Sequence, residues 1–185
     1  MLPFKELDCL VLEQIQKEAL EYIGSHDLLF DGFWNKIDSK DFLKHNTTVF
    51  KYCYDLGYVI DEVALLVADQ PGTAPTIHID EPPLVAKFNF PICNTAGTVT
   101  QWYDIPQEVV NKLPTIKSPF GANVPNFEGL DPYPVCGEVD MHKPVVFNSS
   151  IPHAVITSSE TCYPRIVLAC MSNNQPLEFL RPFLV

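Results

Sequence analysis

The sequence predicts a mainly β fold with N-terminal helices, closed as an antiparallel barrel or a double-sheet jelly roll. Three observations predict it. From Val59 onward, short apolar runs follow one another, separated by turns rich in Pro, Gly and Asn. The first 58 residues instead carry their apolar positions at helical spacing. A chain of 185 residues with 46% hydrophobic content suits one domain with a sizeable core.

The elements follow in order. Leu7, Val11, Ile15, Ala19 and Tyr22 recur on one helical face, with Glu13, Lys17, Glu18 and Glu21 outside it. An amphipathic helix is expected over about residues 6–23, stopped by Gly24. Asp38-Ser39 caps a short helix, and Asn46-Thr47-Thr48 starts another that runs to Gly57. These helices are expected to pad the outside of a sheet. Val63–Val67 is too short and too continuously apolar for a surface helix and reads as a buried strand. Gln70-Pro71-Gly72-Thr73 is a turn. The extended segment Thr76–Asp80 follows, then a strand over Leu84–Ile92, a hairpin loop at Asn94–Gly97 and a strand over Thr98–Tyr103. On that last strand Thr98, Thr100 and Trp102 share one face and Val99, Gln101 and Tyr103 the other; only one set can point inward, and Thr100 with Trp102 is expected to.

Pro106–Lys112 reads as one short helix with proline in its first turn. Residues 113–134 hold Pro114, Pro119, Gly121, Pro125, Gly129, Pro132 and Pro134 and read as a long irregular segment. A connection of that length is expected to act as a lid over the barrel mouth, with Phe120, Phe127 and Tyr133 facing a substrate. The alternative is permanent packing against the N-terminal helices. Strands are expected at about 135–140, 144–148 and 164–171, with 173–185 as a tail. The chain thus divides into helical support (1–58) and a β core (59–172) within one domain spanning 1–185.

Composition excludes several classes. The net charge is −11, from 23 acidic and 12 basic residues, with no Lys/Arg cluster. Non-specific nucleic-acid binding needs a basic surface, so no nucleic-acid partner is expected. The six cysteines form no C-x-x-C pair and read as buried free thiols, which points to a reducing, cytoplasmic location. No run of about 18 apolar residues exists, so no membrane association is expected. The sequence leaves the oligomeric state open.

The chemistry concentrates in a few residues. His78 and Asp80, two apart on an extended segment, point to the same side. A second histidine far downstream completes three ligands on one face of a metal. Two imidazoles and one carboxylate with open positions are the donor set of non-haem Fe(II) oxygenases, although Mn, Co, Ni or Zn also suits such ligands. A hydrogen-bonded pair at a strand end is the simpler reading of His78 and Asp80. His26, His45 and His142 compete for the third position; Asp140-Met141-His142 is the serious rival because it too precedes a strand. Arg165 stands between Pro164 and the apolar run Ile166–Ala169, so it is expected to be partly buried and to need an anionic partner.

Taken together, His78, Asp80, His153 and Arg165, with the strands between them, resemble the 2-oxoglutarate/Fe(II)-dependent oxygenase superfamily. The nearest branch is the prolyl-hydroxylase-like one with its small bacterial and phage members, over roughly residues 60–172. The resemblance implies a double-stranded β-helix (jelly roll, cupin-like). It selects His153, because Pro152-His153-Ala154-Val155 looks like the family's distal histidine. It implies Fe(II) held by His78, Asp80 and His153, and 2-oxoglutarate anchored by Arg165, with Asn89 as a further donor to its carboxylate; of the inward pair on the next strand, Thr100 is expected at the cosubstrate and Trp102 at the substrate. Many relatives carry serine two positions after this arginine; here Val167 stands there. The implied activity is hydroxylation of a peptide or small-molecule substrate with release of succinate and CO2. Two other classes stay open: a cupin-like metalloenzyme that uses the same ligands without 2-oxoglutarate, and a non-catalytic jelly-roll binding module.

Overall fold

The structure, a computed structural model, describes residues 3–28, 30–80, 86–118, 123–130 and 133–172. Phe120, Leu84, Val85 and the 173–185 tail lie outside the described residues. The chain runs β1 (Phe4–Glu6), α1 (Leu12–Ser25), β2 (Trp34–Lys36), α2 (Ser39–His45), α3 (Thr47–Asp55), β3 (Glu62–Ala68), β4 (Ala86–Cys93), β5 (Thr98–Tyr103), α4 (Gln107–Val110), β6 (Thr115–Lys117), β7 (Asn123–Pro125), β8 (Val135–Asp140), β9 (Val145–Asn148), β10 (His153–Thr157) and β11 (Arg165–Met171). The fold is mainly β, and its sheets are antiparallel and open. A six-stranded sheet has the order β1-β9-β4-β11-β3-β2, and a three-stranded sheet the order β10-β5-β8.

Both faces of the larger sheet are covered, which explains its sequence texture. Val63, Leu65 and Val67 of β3 and Ile166, Leu168 and Cys170 of β11 pack under the helices, with Ile15 and Ala19 of α1, Phe42 of α2 and Val49 of α3. Leu66, Ala68, Val167 and Ala169 face the other way and meet Trp102 and Val139 of the smaller sheet. Strands buried on two faces read as continuous apolar runs, and every residue of β11 is buried. β5 is covered on one side only, so it alternates: Thr98, Thr100 and Trp102 are buried and their neighbours are not. The expected inward set is the observed one.

Several expectations shift. The first helix starts at Leu12 rather than near residue 6. The preceding residues pair with β9, Phe4 opposite Phe147 and Glu6 opposite Val145, and the Leu7 N–H donates to Pro144 O at 2.8 Å. Those backbone groups belong to the sheet and cannot also wind a helix. Gly24 does not stop the helix, which continues to Ser25; Asp27, at φ 45°, turns the chain. Pro106 caps α4 rather than sitting inside its first turn. Asp38 caps α2 as expected, its Oδ1 accepting from the Lys40 and Asp41 N–H groups at 3.0 Å each.

The Asn94–Gly97 turn is not a hairpin. β4 pairs with β11 and β9, whereas β5 pairs with β10 and β8, so the turn carries the chain from one sheet to the other. Gly97 is required there: its φ is +72°, and a Cβ would stand 2.8 Å from Ser158 Oγ. The 113–134 segment is less irregular than its prolines suggest, because β6 and β7 pair as a two-stranded sheet. Cys53 and Cys170 are buried free thiols as expected, but Cys136 and Cys162 are exposed.

Candidate metal centre

The centre forms where the His78 segment joins the smaller sheet. His78 and His153 exchange both backbone hydrogen bonds, at 2.9 and 2.8 Å, which adds one residue pair beside β10. Directly opposed residues of an antiparallel pair carry their side chains on the same face. The two imidazole rings accordingly lie 4.4 Å apart. Asp80 follows two residues after His78, and its N–H donates to Ser149 O at 3.0 Å, which holds its side chain on that face. Ligand atoms of His78, Asp80 and His153 all lie within 4.8 Å of one another.

Each imidazole is aimed by its own neighbourhood. His78 Nδ1 stands 2.9 Å from Thr76 O, and His153 Nδ1 2.8 Å from Ile151 O. A carbonyl only accepts, so each Nδ1 carries the proton and each Nε2 presents a bare lone pair. Behind His153 the indole of Trp102 stacks at 6.3 Å and the Phe147 ring stands edge-on at 5.4 Å. Trp102 is fully buried and itself stacked on Phe4 at 4.7 Å, so it backs the histidine instead of facing a substrate.

Electrostatics set the charge state the ligands need. Burial, with some help from His78, pulls His153 down to about 3; burial likewise lowers His78. For Asp80 burial acts upward, but its neighbours, the Lys87 ammonium foremost, outweigh it and hold the carboxyl below its usual range. The result is two neutral imidazoles and one carboxylate, the form that binds a divalent cation. In the metal-free protein this has a pH consequence. The unfolded chain protonates His153 near 6.5, whereas the folded one resists to about 3. Between those values the unfolded state binds more protons, so stability falls as pH falls through that window. The urea midpoint of metal-free protein should therefore drop between about pH 7 and pH 4. A flat profile would mean that His153 is not buried in its neutral form.

Lys87 is the residue that sequence reasoning missed. In the sequence it shares a strand face with Asn89 by two-residue spacing, which gives it no role. Its ammonium is buried and donates to Asp80 Oδ2 at 3.0 Å, while Asp80 Oδ1 faces His78 Nε2 at 3.8 Å. The carboxylate thus divides its oxygens between a fixed lysine and the ligand cluster. Lys87 also lies over the Trp34 ring at 4.2 Å, and burial lowers its pKa against the opposing pull of Asp80.

Arg165 and Asn89 share this inner layer. Arg165 pairs across the sheet with Ala68, and Asn89 with Ala169 and Val145, all on the face turned toward the smaller sheet. Arg165 is buried; its Nε donates to Thr98 Oγ1 at 3.2 Å, and its Nη1 has no partner among the described residues. Asn89 Oδ1 and Trp102 Nε1 are likewise buried with no partner among the described residues. Burial pulls the guanidinium down to about 10, opposed only by Tyr163. Thr98, not Thr100, contacts the arginine. Thr100 stands on the same face of β5 between Thr98 and Trp102, the residue opposite His153. The other histidines lie elsewhere: exposed His142 pairs loosely with Glu6 and Asp140, at 3.9 Å each, and His26 and His45 sit among the helices.

A cavity of about 620 Å³ opens beside the triad. His78, Asp80, Lys87 and Trp34 form one wall, and Ile116, Val124 and Phe127 from the 113–134 segment form another. Phe127 also packs with Ile105 and Val110, against Ile77, Ile79 and Tyr133. Among the described residues the segment thus packs against Ile77 and Ile79, which flank His78. Tyr133 supports that packing without lining the cavity.

Neither a protein-family model nor a curated protein matches the chain. Among solved structures, AviO1 from Streptomyces viridochromogenes Tue57 is 12% identical at a TM-score of 0.49, covering 94% of this chain and 91% of its own. EvdMO1 is 11% identical at a TM-score of 0.48; the match covers 94% of this chain but only 48% of that longer one. At that similarity neither match bears on what this chain does. No described helix is long and apolar enough to cross a membrane.

Proposed function

We propose that the protein is an Fe(II)- and 2-oxoglutarate-dependent oxygenase, most simply a hydroxylase of a peptide or small molecule. The observation that carries the reading is the pre-aimed His78–Asp80–His153 set on the same inner layer as a buried, incompletely partnered Arg165. The strand path supports the jelly-roll form of the fold. Along the chain, β3, β4, β9 and β11 lie in the larger sheet, while the His78 segment, β5, β8 and β10 lie in the smaller one. The order β3-β11-β4-β9 thus faces the order His78 segment-β10-β5-β8.

The residues fit the two absent groups. His78, Asp80 and His153 would hold Fe(II), and Arg165 would hold the distal carboxylate of 2-oxoglutarate, with Asn89 and Thr98 as the polar groups beside it. When bound, these groups supply oxidative decarboxylation of 2-oxoglutarate coupled to oxygenation of the substrate. The chain's own part is to orient and to exclude. Thr76 O and Ile151 O fix the imidazoles, Lys87 fixes Asp80, and the apolar wall of the cavity keeps water from the reacting centre. Anaerobic addition of Fe(II) and 2-oxoglutarate should produce a visible metal-to-ligand charge-transfer band; folded protein that develops none speaks against the assignment.

The Lys87–Asp80 ion pair favours a second reading, a non-catalytic binding module on the same scaffold. There the ammonium alone supplies the positive charge that Asp80 needs. Metal-free protein that also refuses added Fe(II) and Mn(II) would select it.

The 113–134 segment serves as the lid in this reading, because it walls the cavity through Ile116, Val124 and Phe127. Lys117 on exposed β6 gives trypsin a reporter site. Cleavage there should slow when Fe(II) and 2-oxoglutarate are bound. Equal rates in both states would leave the metal site intact but remove the lid.

A further inference from the structure

The geometry points to a second divalent-cation site, on the helical layer, formed by His26, Asp41 and His45 and suited to zinc. It is independent of the oxygenase reading. His26 follows the end of α1, and Asp41 and His45 lie four apart on α2, on one helical face. Their ligand atoms all lie within 4.8 Å of one another.

The hydrogen bonds around His26 fit a metal ligand. Its Nδ1 stands 2.9 Å from Tyr22 O and 2.9 Å from Ser25 Oγ; with the Ser25 hydroxyl donating to Tyr22 O at 3.1 Å, the ring proton sits on Nδ1 in the tautomer that a metal selects. Its Nε2 then presents a lone pair to Asp41 Oδ2 at 3.2 Å, where the carboxylate presents another. In that tautomer a metal ion bridges the two acceptors; in the other, Nε2–H donates to Asp41 and no metal is needed. A metal fits the spacing: two ligands at ~2.0–2.1 Å from a tetrahedral zinc stand roughly 3.3 Å apart.

The third ligand follows the same pattern. His45 Nδ1 lies 2.9 Å from Asp41 O and 3.6 Å from Asp41 Oδ1, so this ring too stands at the carboxylate. The His26 and His45 rings are 5.6 Å apart. Both outer histidines are thus aimed by backbone carbonyls through Nδ1, the arrangement also found for His78 and His153. Tyr22 completes the surround: its hydroxyl donates to Asp41 Oδ2 at 3.0 Å and its ring stacks on His26 at 3.9 Å. All three ligands are at least partly exposed, so an ion and its water have access. Bound zinc would rivet the end of α1 to α2 and stiffen the helical layer outside the larger sheet.

The test is zinc titration of the metal-free full chain against a chromophoric chelator, with His45→Ala and Asp41→Asn as variants. Each should lose about one zinc equivalent, or at least about tenfold in affinity for it, relative to wild type. Zinc should also shift the imidazole 15N resonances of His26 and His45 in the wild type. The readout is the difference between proteins, so it holds whether or not the inner triad takes zinc. Unchanged stoichiometry and affinity in both variants would overturn the site and leave a proton shared by His26 and Asp41. Two variants guard against misfolding, since exposed His45 can be truncated without disturbing the Asp41–Tyr22 contact.

Discussion

Asp80→Ala is expected to abolish metal binding and to destabilise the fold in the same step. The first effect follows from losing the only carboxylate of the triad. The second follows from Lys87, whose ammonium is buried and donates to Asp80 Oδ2 at 3.0 Å. Truncating the aspartate strands that charge in an apolar layer beside Trp34 and Phe147. Breaking a buried ion pair from one side costs about 3–5 kcal/mol, well above an ordinary surface substitution. The double variant Asp80→Ala/Lys87→Met separates the two effects. An unbranched methionine fills the lysine's path without a charge, so stability should return while metal binding should not. Urea unfolding beside Fe(II) or Mn(II) titration reads both. A single variant as stable as wild type, or a double variant no better than the single, would remove Lys87 from the centre.

That coupling explains why the centre was only partly legible in the sequence. His78 and Asp80 could be paired from spacing alone, because two-residue periodicity fixes the shared face wherever the chain is extended. The inward face of β5 was legible for the same reason. Strand pairing is non-local and left no such mark. β1 and β2 are three residues each, too short to carry a period, and they exist because β9 and β3 offer them an edge. β10 was missed as a strand although it carries His153; its register with β5 is fixed by pairing across some fifty residues of sequence. The Asn94–Gly97 turn has the residues of a hairpin, and only the partners of β4 and β5 reveal a crossing between sheets. Lys87 shows the limit most clearly. A lysine in an apolar run reads as one that snorkels to water. Its burial depends on a carboxylate seven positions earlier, delivered by a segment that joins the other sheet.

Arg165→Ala is expected to remove 2-oxoglutarate binding and spare the metal. The arginine is buried, its Nε is engaged by Thr98, and its buried Nη1 has no acceptor among the described residues. Leaving a guanidinium donor unsatisfied in such a place is costly, and the distal carboxylate of 2-oxoglutarate would relieve that cost through a charge-assisted bond. Removing one side of a buried charge pair weakens binding by about 2–5 kcal/mol, or roughly thirtyfold and more. Position 167 is valine, so Asn89 and Thr98, both uncharged, are the polar groups left to compensate. Arg165→Lys should rescue only partly, because an ammonium keeps the charge but loses the planar fork. Metal affinity should stay at the wild-type level in both variants, since none of the three ligands touches Arg165. The charge-transfer band titrated with 2-oxoglutarate, beside a direct metal titration, reads the two affinities separately. Metal and 2-oxoglutarate affinities that both survive Arg165→Ala would move the carboxylate anchor elsewhere. Metal binding without any 2-oxoglutarate binding, even in the wild type, would leave the cupin-like metalloenzyme as the reading that the same three ligands support.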